Sequence, residues 1–72
     1  MKTKMISLDN GMNYMSAKEA MREIRSRNLW DAVVNMMDDD VREKVHREIA
    51  PCTEEEFLEA YLEEAKEDLV VG

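Results

Sequence analysis

Three helix-start signals divide this 72-residue chain into short helical segments and leave little sequence for any other architecture. Ser16 with Glu19, Asp40 with Glu43, and Thr53 with Glu56 each have the spacing of a capping box. In that arrangement the first side chain accepts from a free amide of the opening turn, and the Glu three residues on reaches back to the cap. Behind Ser16, the residues Ala17, Ala20, Met21 and Ile24 recur at helical spacing, which predicts a first helix from about Ala17 to Arg27. Asn28 can end that helix or cap the next. Leu29, Trp30, Val33, Val34, Met36 and Met37 then form an apolar segment too broad for one narrow stripe, so the second helix is expected to be the central and most buried one. Asp38, Asp39 and Asp40 interrupt it, at a place where carboxylates accept from the free amides of the following helix and face its positive end. The third helix presents Val41, Val45 and Ile49 inward and stops at Pro51. The fourth runs from Thr53 through about Lys66 with Phe57, Leu58, Tyr61, Leu62 and Ala65 on one side, and Cys52 ahead of the cap is placed to pack on Phe57.

The two ends are less helical. Lys2 to Leu8 puts Lys4, Ile6 and Leu8 on one side and Thr3, Met5 and Ser7 on the other, the pattern of a short strand. Asp9, Asn10 and Gly11 form a turn signal, because Asn and Gly tolerate positive φ, and Met12 to Met15 is a connector carrying Tyr14. The apolar tail Leu69, Val70 and Val71 can dock on the helices or pair with the N-terminal arm. The expected fold is therefore mostly α: one domain over 1–72, with an arm (1–15), a compact bundle of about four short helices (16–66) and a tail (67–72), the two termini being available for a small two-stranded β edge. A chain this short buries little core, so a homodimer or a larger partner would help to stabilise it, and a large substrate cavity is not expected. The one cysteine, Cys52, cannot form an internal disulfide, and no stretch approaches the roughly 20 apolar residues that span a bilayer. Both point to the cytoplasm and away from membranes.

Charge is laid out unevenly. From Asp38 onward there are thirteen acids against four Lys or Arg, whereas the first 37 residues hold four acids and six bases, giving a net charge of -7. Such a chain is repelled by phosphates and anionic lipid, which makes direct nucleic-acid binding an unfavourable expectation and a protein with a basic surface, such as a nuclease complex, the natural partner. Glu55, Glu59 and Glu63 recur every four residues along the fourth helix, in steps of about 6 Å, and Glu56 and Glu67 widen the band. Like charges at that spacing oppose helix formation by about 0.2–0.5 kcal/mol per pair, so local stability does not account for the ladder. It either imitates a run of phosphates for a basic groove or is a solvated face that keeps a small protein soluble. These five glutamates are the candidate partner-binding residues.

Other constellations have weaker claims. Lys18, Arg22, Arg25 and Arg27 make a basic patch on the first helix, diluted by Glu19 and Glu23. Helices two and three have the outline of a helix-turn-helix with Arg42, Lys44 and Arg47 on the second member, but three aspartates stand where phosphates would approach. His46 and Cys52 flank the Pro51 turn without a third group to orient them, and Met12, Met15, Met36 and Met37 read as core filling or an adaptable surface and not as copper ligands. The Asp38–Asp40 run lacks the Gly and distal Glu of a calcium loop. No catalytic, cofactor-binding or metal-binding residue is assigned, and no enzymatic activity is expected.

From Asn28 onward, three strings resemble small acidic accessory proteins of bacterial phages and mobile elements. They are Asn28-Leu29-Trp30-Asp31-Ala32-Val33-Val34, Met37-Asp38-Asp39-Asp40, and His46 through the Pro51-Cys52-Thr53-Glu54-Glu55-Glu56-Phe57-Leu58 stretch. The resemblance implies a setting in which such proteins inhibit host defence enzymes, anti-CRISPR proteins being the familiar example, and it carries over no functional residue. The leading expectation is a non-enzymatic, anti-CRISPR-like inhibitor that binds a host nucleic-acid-processing or defence complex through its acidic helix face, with Trp30, Tyr14 and Tyr61 as anchors where exposed. The alternatives are a regulatory adaptor or antitoxin-like subunit whose helices two and four hold a partner helix in an apolar groove, and a helix-turn-helix DNA-binding regulator.

Overall fold

The computed structural model describes residues 3–72, so the expected start of the first strand at Lys2 lies outside the described residues. Four helices follow one another in the order α1 (Ala17–Arg27), α2 (Trp30–Met36), α3 (Asp39–Ile49) and α4 (Glu54–Glu64), flanked by two short strands, β1 (Ile6–Ser7) and β2 (Leu69–Val70). Local chemistry sets most of these limits. The Ser16 hydroxyl accepts from the Glu19 amide at 3.3 Å, and Thr53 with Glu56 completes a reciprocal capping box at 3.1 and 2.9 Å. Asn28 takes the left-handed conformation (φ 56°) that ends α1, and the Leu29 amide reaches back to the Ile24 carbonyl at 2.9 Å, a Schellman-type closure.

Two expectations need correction. The N-cap of α3 is Asp38 and not Asp40: the Asp38 carboxylate accepts from the amides of Asp40 and Val41 at 3.0 and 3.2 Å, and Asp40 is already helical. The choice among three adjacent aspartates is tertiary, because the Asp38 amide donates to the Tyr61 hydroxyl at 2.8 Å and so holds that residue in extended backbone. Nor is α2 the most buried helix. Only Val33 of its seven residues is buried, while Ala32 and Met36 are exposed and Trp30 and Val34 half-buried. A helix of two turns at the rim of the bundle has one side to cover. The central position belongs to α4, which packs against both α1 and α3 and buries Leu58, Tyr61 and Leu62.

The termini pair in parallel, Ile6 opposite Leu69 and Ser7 opposite Val70, and β1 is bridged on its other side to Met15. Asn10 (φ 60°) and Gly11 (φ 91°) make the expected turn. Buried Ser7 is its hub, its hydroxyl accepting from the Gly11 amide and donating to Asp9. Ile6 and Leu8 join Ala20, Met21, Ile24, Val33, Leu58, Leu62 and Leu69 in one core, which holds the sheet against α1 and α4 and leaves the outer face of α4 to solvent.

Candidate functional site

The five candidate glutamates do not form one band. Glu55 turns toward α1 and lies 3.5 Å from the Arg25 guanidinium. Glu56 is engaged in the capping box, where the Thr53 amide it accepts from holds its carboxyl below the usual range. Glu59 and Glu63 are exposed, with no hydrogen-bond or ion-pair partner among the described residues. Together with Glu56 they border a shallow groove of about 340 Å³ that also takes in Ile49, Cys52 and Ala60. From Glu56 to Glu63 this stripe extends about 10 Å along the helix. Glu64, on the opposite flank, pairs with Lys44 of α3 at 3.0 Å, a contact that raises the lysine's pKa.

Glu67 is separate. Helix α4 stops at Glu64 with Ala65 in extended backbone, so Glu67 lies in the turn before β2. There it stands beside Asp38, Asp40 and Asp68 at the mouth of a second groove, of about 530 Å³. This second acidic rim is not visible in the sequence as a unit, since its two halves lie at the start of α3 and in the turn before β2. The only signals for it were the aspartate run and the Glu67-Asp68 pair, which no local spacing connects.

A third groove, of about 570 Å³, opens between α2, α3 and the start of α4. Its floor is apolar, with Trp30 and Phe57 edge to face at 6.3 Å and 85°, and its rim mixes Arg42, His46 and Arg47 with Glu43 and Glu54. His46 and Cys52 both border it. Tyr14 is 46% exposed, Trp30 half-buried, and Tyr61 buried with its hydroxyl committed to Asp38. Met36 is exposed and its neighbour Met37 buried, as expected for adjacent positions on a helix end.

Four of the basic residues, Arg25, Arg27, Arg42 and Lys44, are also engaged within the chain. Arg42 binds Asp39 at 3.0 Å and the Val34 carbonyl at 3.3 Å, and Lys44 holds Glu64, so of the three cations on α3 only Arg47 lacks a partner among the described residues. On α1, Arg25 and Arg27 pair with Glu55 and Glu23, which leaves Lys18 and Arg22. Among the described residues, no group of three or more His, Cys, Asp or Glu is placed to hold a metal ion, and no helix is long and apolar enough to cross a membrane.

Comparison with known proteins gives one result. The family model described as anti-CRISPR protein AcrIC5 matches residues 22–68, from the middle of α1 through the turn that holds Glu67 and Asp68. Neither the curated proteins nor the solved structures yield a match. The family match takes in α2, α3 and α4 entire and well over half of the chain, together with the five candidate glutamates and the carboxylates of the second groove, and the chain therefore belongs to the anti-CRISPR protein AcrIC5 family and is, in that broad sense, an anti-CRISPR inhibitor.

Proposed function

We propose that this protein is a non-enzymatic inhibitor that binds a Cas protein or Cas complex in the host cytoplasm and occupies a basic nucleic-acid groove with the outer face of α4. The observation that carries this reading is the pattern of neutralisation. Glu55 and Glu64 on the two flanks of the helix are matched by Arg25 and Lys44, whereas Glu59 and Glu63 between them face solvent with no cation of their own among the described residues. Along the body of α4, negative charge without a paired cation thus forms one narrow stripe, with Glu56 at its start. A groove lined by Lys and Arg would attract that stripe over a distance of a Debye length, about 8 Å at physiological salt, and would supply cations to pair with it. Phosphates would then be excluded from the same groove. No bond needs to be made or broken for inhibition by occupancy.

The test uses Glu56, Glu59 and Glu63 changed together to Gln, beside Glu55→Gln, against the purified Cas complex that the protein inhibits. Gln retains the reach-back of a capping box, so the triple variant keeps the start of α4. The triple variant is expected to bind at least about tenfold more weakly and Glu55→Gln nearly as tightly as the parent, because only the former removes uncompensated charge facing the target. Equal affinity for the triple variant and the parent would refute the α4 reading.

One observation supports a second reading. The half-buried Trp30 and Phe57 pair at the floor of the 570 Å³ groove offers an apolar seat for a partner helix. Binding there would be nearly indifferent to ionic strength, whereas the α4 stripe predicts affinity that falls steeply as salt rises.

A further inference from the structure

Strand β2 has one open side. On its inner side the amides of Leu69 and Val71 donate to the carbonyls of Met5 and Ser7 at 3.0 and 2.8 Å, and β1 is covered beyond by its two hydrogen bonds with Met15, at 3.0 and 2.8 Å. Backbone groups alternate in direction along a strand, so the N–H and C=O of Val70 project from the outer edge. Neither group has a hydrogen-bond partner among the described residues. An unpaired rung of this kind is a template for another strand unless something blunts it.

The open rung borders the groove of about 530 Å³ beneath Glu67. Met36, Val41, Tyr61 and Leu69 give that groove an apolar floor, and Met36 is 55% exposed there. Its rim carries Asp38, Asp40, Glu67 and Asp68 against, among the described residues, the single cation Lys66. Asp38 and Asp68 also accept backbone amides, while Asp40 and Glu67 make no side-chain hydrogen bond or ion pair among the described residues. We infer that this edge docks an extended segment of a partner protein bearing Lys or Arg at alternate positions. The segment adds a strand beside Val70 and exchanges two hydrogen bonds with it, its apolar side chains enter the groove, and its cations meet the four carboxylates. A helix could not use the free N–H and C=O, and a nucleic acid would set its phosphates against the acidic rim. The site goes beyond the α4 face proposed above and shares neither Glu59 nor Glu63 with it.

The probe is a capped peptide of about six residues, alternating Lys and Val, titrated into the full-length protein and followed through the backbone amides by NMR. The expected result is saturable shifts centred on Val70, Met36 and Glu67, with slowed hydrogen exchange at the Val70 amide. Val70→Pro deletes a donor that no bond among the described residues uses and should abolish these changes. Because proline also fixes φ, a second variant, Asp40→Asn with Glu67→Gln, leaves the backbone alone and should weaken binding severalfold at low salt. Shifts centred on Glu59 and Glu63, no saturable shifts, or unchanged binding by both variants would overturn the inference. So would self-association of the protein through Val70, which would make the occupant a second copy. No Cas protein is present in this titration, so failure of the α4 reading would leave its outcome unaffected.

Discussion

Changing Glu59 and Glu63 together to Gln should make this protein more stable while it loses its target. Glu59 stands four residues from both Glu55 and Glu63 on α4, and the double change removes both like-charge pairs. At about 0.2–0.5 kcal/mol per pair the gain is about 0.4–1 kcal/mol, with the Glu55–Glu59 pair at the low end because Arg25 already offsets Glu55. Glu63 also lies in the last turn, where a carboxylate opposes the negative end of the helix dipole, and its removal acts in the same direction. For a domain of this size the gain corresponds to a rise in Tm of about 2–8 °C at low ionic strength. Thermal melts followed by circular dichroism at low salt and at about 1 M salt separate the cause, since a Debye length near 3 Å screens charges about 6 Å apart and should erase the rise. A lower Tm for the variant, or a rise that persists unchanged in high salt, would show that repulsion along α4 does not cost stability. A stripe that costs stability where it stands is expected of a surface kept for binding.

Two further outcomes follow from the geometry. Tyr61→Phe leaves the Asp38 amide without its partner and should destabilise the fold by about 1–3 kcal/mol, read as a loss of urea or thermal stability; a change within error would mean that this hydrogen bond does not hold the α2–α3 junction. The Asn13 side chain and amide, followed by the Ser7 hydroxyl, draw the Asp9 pKa from the ordinary 3.8 to about 2. A depressed carboxylate contributes stability that is complete above 3.8 and is lost as pH falls toward 2, so acid should loosen the Asn10–Gly11 turn in that window. Carbon-detected NMR titration should place the Asp9 midpoint near 2 in the parent and closer to 3.8 in Asn13→Ala, and equal midpoints would contradict the assignment.

What the chain discloses in advance is what its neighbours in sequence decide. Ser16 with Glu19, Thr53 with Glu56, the Asn28 stop and the Asn10–Gly11 turn are all local, and α1 and the start of α4 fall where those residues put them. Asp38 and Asp40 are chemically equal as caps, and only the hydroxyl of Tyr61, 23 residues away, selects between them. The breadth of the apolar run from Leu29 to Met37 was misleading because composition says how much of a helix can be covered and not whether a neighbour covers it. Met36 and the outer side of Trp30 border open grooves.

The candidate site was legible to the same degree. Glu56, Glu59 and Glu63 share a face as helical spacing dictates. Arg25 is thirty residues from Glu55 in sequence, and nothing along α4 announces the pairing. Glu67 left the band because the tail must turn there: Asp68 accepts from the Met5 amide and Leu69 pairs with the same residue's carbonyl, which ends α4 at Glu64. The parallel direction of β1 and β2 likewise depends on where four helices deliver the chain and on no residue in either strand.

If the α4 carboxylates and a nucleic acid compete for one basic groove, competition calorimetry should register it. The protein would be titrated into the purified Cas complex alone and then with increasing amounts of the complex's own nucleic-acid ligand. The apparent Kd should rise in proportion to the nucleic acid, with no ternary complex formed. An unchanged Kd, with protein and nucleic acid bound together, would contradict it.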